Sequence, residues 1–322
     1  MIKNIVYTLM TIVCAVMGNA YANTFPSKPV TVIVPYGPGS GSDAIIRIIQ
    51  PVLEKKLGVP VVIQNRAGAG GAIGTKAIAD ASNDGYTIGV SVVSTFAINQ
   101  LFQRQTYDPL NDFSYLARLG VMPRALVTNV HFPTAQHTKI LSELKINPEK
   151  YFYATVINTV DMFNFEIYKS ATGAKMTQVT YGDSRNSIML DLQSNRVQFT
   201  FDSLPVLTPW AQKGNIKLVA ITGTTRNSQY PDVPTFSELG IKDLTASSWY
   251  GFVAPKNLEK DRQDVLVKAI HDALGDLGLK NKIAQLGIEI SPNTPAEHRK
   301  EIADSIELYA RIAKKLGIIP QP

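Results

Sequence analysis

Val30-Thr-Val-Ile-Val-Pro-Tyr-Gly-Pro-Gly-Ser-Gly-Ser-Asp43 decides the fold. It opens with an unbroken β-branched run, which reads as a strand buried on both faces. From Ala44 to Leu57 the apolar residues Ile45, Ile46, Ile49, Val52 and Leu53 recur at helical spacing. The chain therefore passes from a buried strand into a helix through a Gly/Ser loop. Pro51 removes one backbone hydrogen bond from that helix and crowds the carbonyl of Arg47, which predicts a kink.

The same alternation continues outward. Val61–Ile63 reads as a strand, the stretch to about Ala81 as a short Gly/Ala-rich helix, and Tyr86–Val92 as a strand. A second set follows in Ala125–Thr128, Tyr151–Val156, Gln178–Tyr181, Val197–Phe201 and Lys217–Thr222, with helices over Thr159–Ala171 and Asn186–Gln193. Strands alternating with helices predict an α/β fold of mostly parallel sheets flanked by helices. The tail from Leu258 to Ile318 reads as mostly helical, with Ile302, Ile306, Tyr309, Ala313 and Leu316 on one packing face. Tyr230–Pro234 and Trp249–Pro255 read as connections between lobes.

At the other end, Lys3, the apolar Ile5–Val16 and Ala20-Tyr-Ala22 form a secretory signal pattern, with cleavage expected near Ala22 and an exported product. The single cysteine, Cys14, falls inside it, so a disulfide scaffold and a thiol nucleophile are not expected in the mature chain. The net charge of +6 is spread without a basic tract, which argues against a nucleic-acid partner. No later apolar run has the length of a membrane span.

The Gly37–Asp43 loop fails as a nucleotide site. It lacks the Gly-Lys-Ser/Thr ending of a phosphate loop, and Ser42 stands where a dinucleotide fingerprint needs glycine. Ser40 and Ser42 do not sit in Gly-x-Ser-x-Gly. His131 and His137 read as loop residues and His271 and His298 as solvated residues on charged helix faces, so no triad partner or metal cluster emerges. Two readings stand level on spacing alone. One is an anion site formed by free amides at a helix start; the other is a tight turn with a Ser/Asp cap, in which Asp43 is a first-turn carboxylate. In the second glycine cluster, Gln64–Gly74, the small residues Gly70, Gly71 and Ala72 read first as close packing, with a ligand contact as the alternative.

Several stretches together resemble a known family: Pro26–Val30, Pro35–Asp43, Asn65–Gly74, Asp84–Thr87, Ala97–Asn99, Tyr107–Phe113, Phe201–Pro205, Pro231–Thr235 and Ser247–Pro255. They occur in the order found in the Bug-type periplasmic solute-binding proteins of tripartite tricarboxylate transporters, over essentially the whole mature chain. The resemblance implies a two-lobed Venus-flytrap fold of type II character. Residues 1–22 are then a signal peptide, 23–122 plus 247–322 one lobe, and 123–246 the other. It implies capture of a small carboxylate by backbone amides and waters in the cleft, and delivery to transporter membrane subunits. The protein is then a monomer, neither an enzyme nor membrane-embedded, without cofactor or metal. The implied ligand site comprises Gly37, Pro38, Gly39, Ser40, Gly41, Ser42, Asp43, Ser94, Thr95, Thr155, Asn158, Thr159, Tyr181, Ser184, Arg185, Asp202 and Ser203.

The chain departs from the family across the cleft. Tyr153–Phe163 has neither the usual glycine nor the histidine, so Thr155, Asn158 and Thr159 are the donors there. Tyr181–Arg185 adds Asp183 and Arg185; Arg185 is either a partner of a ligand carboxylate or a solvated arginine at a helix start. Asp161 opens the alternative of an amine-bearing ligand. A sensor acting on a signalling partner is the alternative to transport, and a serine hydrolase using Ser40 or Ser42 is the third reading.

Overall fold

A computed structural model describes residues 25–318, apart from 149, 157–158, 182–184, 246–247 and 286. The signal pattern and the expected site residues Asn158 and Ser184 lie outside the described residues, as does the Arg185 side chain.

The strands are β1 (Val30–Val34), β2 (Val61–Asn65), β3 (Thr87–Val92), β4 (Phe113–Met122), β5 (Arg124–Asn129), β6 (Phe152–Val156), β7 (Thr177–Tyr181), β8 (Phe199–Ser203), β9 (Ile216–Ile221), β10 (Ser248–Pro255) and β11 (Glu289–Ile290). The helices are α1 (Gly41–Leu57), α2 (Ala72–Ala79), α3 (His137–Ile146), α4 (Val160–Thr172), α5 (Arg185–Gln193), α6 (Leu204–Gln212), α7 (Lys260–Leu274), α8 (Leu277–Gln285) and α9 (Pro295–Lys315).

Two separate sheets result. One has the order β11-β4-β10-β3-β1-β2 and the other β7-β6-β8-β5-β9. The chain leaves the first at Met122, enters the second at Arg124 across Pro123, and returns at Ser248. The α/β class is as expected, but both sheets are mixed. β1 pairs in parallel with β2 and β3, whereas β10 runs antiparallel to β3 and β4. In the second sheet β6 is parallel to β7 and β8, and β5 is antiparallel to β8 and β9.

β10 corrects the expectation that Trp249–Pro255 is a connection. It is an interior strand between β3 and β4, in which Pro255 occupies the last position, where its missing N–H is tolerated. Gly251 within it makes room for a neighbour: a Cβ there would lie 2.2 Å from His298 Nε2. β4, for which the sequence carries no clear strand signal, pairs along most of β10. α1 runs unbroken through Pro51, with Ile45, Ile46, Ile49, Leu53 and Leu57 turned inward, and ends at the left-handed Gly58.

One apolar cluster fills the first sheet around β1 and α1, and another the far face of the second sheet around Leu204 and Ile221. The third spans both sheets. Phe96 packs on Phe113 and Trp249, Phe102 meets Phe163, and Phe163 meets Tyr309 of α9 at 5.1 Å between ring centroids. The C-terminal helix therefore rests on β4 of the first sheet and on α4 of the second.

Two histidines differ from their sequence reading. His298 is fully buried, not solvated. It lies one turn before Ile302 on the packing stripe of α9, with Nε2 2.9 Å from Ser91 Oγ and Nδ1 3.4 Å from Glu301 Oε2. Burial pushes its pKa down. His137 is buried at the start of α3 against Tyr168, and burial lowers its pKa too.

Candidate functional site

The chain leaves β1 at Val34 and forms the loop whose Ser40 caps α1, Oγ accepting from the Asp43 amide at 3.3 Å. Asp43 turns back into this loop and is 2 % exposed. Its Oδ2 accepts from the Gly39 amide and from Arg47 Nε, both at 2.9 Å, and its Oδ1 from Asn65 Nδ2 at 2.9 Å. The Arg47 bond leads those of Gly39 and Asn65 in holding the Asp43 carboxyl down at about 2, against burial. Asn65 also donates to the Tyr36 carbonyl, so one carboxylate ties both ends of the loop to β2.

Ala44 N bonds to the Ser40 carbonyl and Asp43 N to the Ser40 hydroxyl. The Gly41 and Ser42 amides find no acceptor among the described residues and stand at the positive end of a 17-residue helix. Both residues, with Ser40, line a cavity of about 480 Å³ between the two sheets. That volume suits a small organic molecule.

The rest of the wall comes from both sheets. After β3, Ser94–Ile98 makes a single π-helical turn, a form often found at functional sites. Ser94 Oγ lies 2.6 Å from Tyr36 Oη, which also donates to the Gly70 carbonyl. Burial pushes the Tyr36 phenol up, with the Ser94 bond pulling partly back, so it stays protonated at neutral pH. Gly70 comes to the cavity, held by Asn99 Nδ2 at 2.9 Å. Gly71 adopts a φ of 92° and packs so closely on Thr95 and Tyr36 that a Cβ would lie 2.6 Å from Thr95 Cγ2. Close packing and cavity lining thus divide between neighbouring glycines.

From the second sheet, Val156, Thr159 and Val160 reach the cavity at the start of α4. Thr159 caps that helix: its hydroxyl donates to the Val156 carbonyl at 2.6 Å and accepts from Met162 N. Two helix N-termini, one from each sheet, thus face one space. Ser248, Trp249 and Tyr250 of β10 form the wall at the crossing between the sheets.

Arg124, the first residue of β5, lines the cavity and is almost wholly buried. Nε and Nη2 donate to the two oxygens of Asp161, Nη2 lies 3.6 Å from Asp202 Oδ1, and Nη1 donates to Ser248 Oγ at 3.2 Å. Burial works against its charge, but the Asp161 and Asp202 carboxylates outweigh burial and hold the guanidinium above the ordinary arginine range. Asp161, a candidate for holding an amine, has both oxygens engaged by Arg124.

Of the expected site residues, Ser40, Gly41, Ser42, Ser94 and Thr159 come together at the cavity. Gly37, Pro38, Gly39 and Asp43 shape the loop without lining it. Thr95 is buried behind the wall, with Oγ1 3.4 Å from the Val92 carbonyl, and Thr155 is buried within β6. Tyr181 turns away to donate to Asp191 at 2.6 Å. Asp202 and Ser203 sit behind Arg124, where Asp202 accepts from the Ser203 amide. Lining residues that the expected site omits include Tyr36, Asn99, Arg124, the four valines Val92, Val93, Val156 and Val160, and the wall Ser248–Tyr250. No histidine lines the cavity among the described residues, and no group of acidic or histidine side chains there is placed to hold a metal. Nor is any described helix long and apolar enough to cross a membrane.

Comparison with known proteins agrees with this architecture. BugT of Bordetella pertussis is 31 % identical over 299 residues, covering 92 % of this chain and 91 % of BugT. The solved structure of R. palustris Rpa4515 with adipate has a TM-score of 0.77 at 27 % identity, covering 92 % of this chain and 100 % of that one. MatC of Rhodopseudomonas palustris, solved with bound malate, has a TM-score of 0.71 at 25 % identity and covers 89 % of this chain and 99 % of its own. A family profile described as the tripartite tricarboxylate transporter family receptor matches residues 45–318. The chain belongs to that receptor family of periplasmic solute-binding proteins.

Proposed function

We propose that this protein captures a small organic acid between its two sheets and delivers it to the membrane subunits of a tripartite tricarboxylate-type transporter. The observation that carries the reading is the pair of uncommitted amides at Gly41 and Ser42, at the start of α1 on the cavity wall, opposite a second helix start at Thr159–Val160. Oriented amides and two helix dipoles favour a carboxylate without a dedicated cation. The adipate and malate held by the two R. palustris relatives support the ligand class. Residues 23–122 with 247–322, and 123–246, are the two lobes in this reading, hinged where the chain crosses at Pro123 and near Ser248. The protein is proposed to act without catalysis: Ser40 and Ser42 contact each other at 3.3 Å and cap or line the helix start.

Mass spectrometry of small molecules released from the purified, denatured protein tests this directly, with a thermal-shift panel of mono-, di- and tricarboxylates beside it. A released acid that also raises the melting temperature is the expected result. No response to any acid would sink the reading.

A further inference from the structure

Most polar side chains on the cavity wall bond to the protein itself. The Thr159 hydroxyl donates to the Val156 carbonyl and accepts from the Met162 amide, so it is engaged in both senses. Tyr36 bonds to Ser94 and to the Gly70 carbonyl, which also accepts from Asn99 Nδ2. Ser248 accepts from Arg124, whose Nε and Nη2 hold Asp161. By contrast, the Gly41 and Ser42 amides find no acceptor among the described residues. Polar recognition of a ligand is therefore strongest at the α1 start.

Much of the remaining lining is hydrocarbon, and it comes from both sheets. Val92 ends β3 and Val93 follows it, Val156 ends β6, Val160 begins α4, and Trp249 lies in β10. Valine is short and stiff about its first side-chain bond, so this wall has no polar atom to turn towards a ligand. A methylene laid against it gains by leaving water. A hydroxyl laid there loses its water without finding a new partner. To reach Thr159, Tyr36 or Asn99 instead, it would compete with bonds these residues already make.

Resting on the carboxylate-capture reading above, we propose that the ligand is an acid with a plain hydrocarbon body, aliphatic or aromatic, bearing no hydroxyl groups along its chain. Its carboxylate meets the α1 start, and its body lies against the valines and Trp249. Val156 and Val160, on either side of the Thr159 cap, set this specificity from the second sheet and select against hydroxy acids. The assignment concerns the body of the ligand alone and holds for an acid with one carboxylate or with two.

Titration calorimetry on the full chain with matched acids tests this. The pairs are hexanoate and gluconate, adipate and glucarate, succinate and tartrate, alike in length and charge and differing in hydroxyls. In the pair that binds best, the unhydroxylated acid should bind about tenfold or more tightly than its counterpart. The double variant Val156→Thr with Val160→Thr keeps the side-chain shape while exchanging methyls for hydroxyls. Its ratio should fall by about threefold or more, with each single replacement measured beside it. A smaller or reversed ratio in the unaltered protein overturns the proposal while leaving carboxylate capture standing. An unmoved ratio in variants shown to be folded by circular dichroism overturns the role of the two valines. If no acid of the set binds, carboxylate capture fails and this proposal falls with it.

Discussion

Arg124 and Asp161 form a buried two-pronged pair in which Nε and Nη2 each donate to a different carboxylate oxygen. The pair joins the first residue of β5 to the first turn of α4, while Arg124 Nη1 reaches across to Ser248 of the other sheet. Removing one partner leaves an uncompensated charge out of water. Asp161→Ala should therefore cost a large part of the roughly 3–5 kcal/mol typical of a broken buried pair, softened by the nearby Asp202. Arg124→Met takes the guanidinium away from both Asp161 and Asp202 and should cost more than Asp161→Ala, which leaves Arg124 beside Asp202. Urea denaturation decides it, and an Arg124→Met protein more stable than Asp161→Ala would contradict the account.

Gly251 and His298 should behave as a size-matched pair. A Cβ on Gly251 would lie 2.2 Å from Nε2, and α9 is packed too tightly on β4 to retreat at no cost. Gly251→Ala is expected to lose about 1–3 kcal/mol by overpacking. In a His298→Ala background most of that penalty should vanish, giving a coupling energy of comparable size in a double-mutant cycle. Additive losses would show that the glycine is required for another reason.

Two groups make the fold sensitive to acid in separate windows. His298 has an ordinary value of 6.5, lowered here by burial, so the unfolded chain binds a proton that the folded ring refuses. Its contribution is full above 6.5 and falls as the pH drops below it. Asp43 drops from 3.8 to about 2, so its stabilisation is present above 3.8 and is lost as the pH falls towards 2. Asp43→Asn should shrink the lower window and leave the upper one unchanged; His298→Gln should shrink the upper one, where buried His137 keeps its own share, and leave the lower unchanged. Denaturation midpoints measured across both windows would expose either assignment as wrong if the same variant flattened both.

The readable parts of this chain were those in which one local pattern had one cause. Val30–Val34 is β-branched throughout, with Thr31 its one polar residue, and becomes a strand buried at every position but Thr31. β10 escaped because Gly251 and Pro255 look like loop punctuation. Gly251 is there for His298, and Pro255 only ends the strand. His298 did carry a signal, four residues before Ile302 on the stripe already assigned to packing, but the charged residues around it obscured its face. Arg124 carried none. A single arginine after a proline is unremarkable, and its partner Asp161 is 37 residues away, so only the folding of β5 against α4 makes it part of a site.

The cavity itself offers the last prediction, because amide donors and side-chain donors at the α1 start separate by mutation. Ser40→Ala removes a helix cap and should cost about 1 kcal/mol of stability with little change in ligand affinity, since the Gly41 and Ser42 amides remain. Ser42→Ala should likewise keep affinity within a few-fold. Ser42→Pro deletes one N–H in the first turn, where proline is compatible with a helix. A carboxylate that relies on that amide should then bind more weakly by about 1.5–3 kcal/mol, the range of a hydrogen bond to a charged group. Calorimetry on the three variants, with circular dichroism to show that the helix persists, distinguishes the cases. If Ser42→Ala weakened binding as much as Ser42→Pro, the hydroxyl and not the backbone would be the carboxylate's partner.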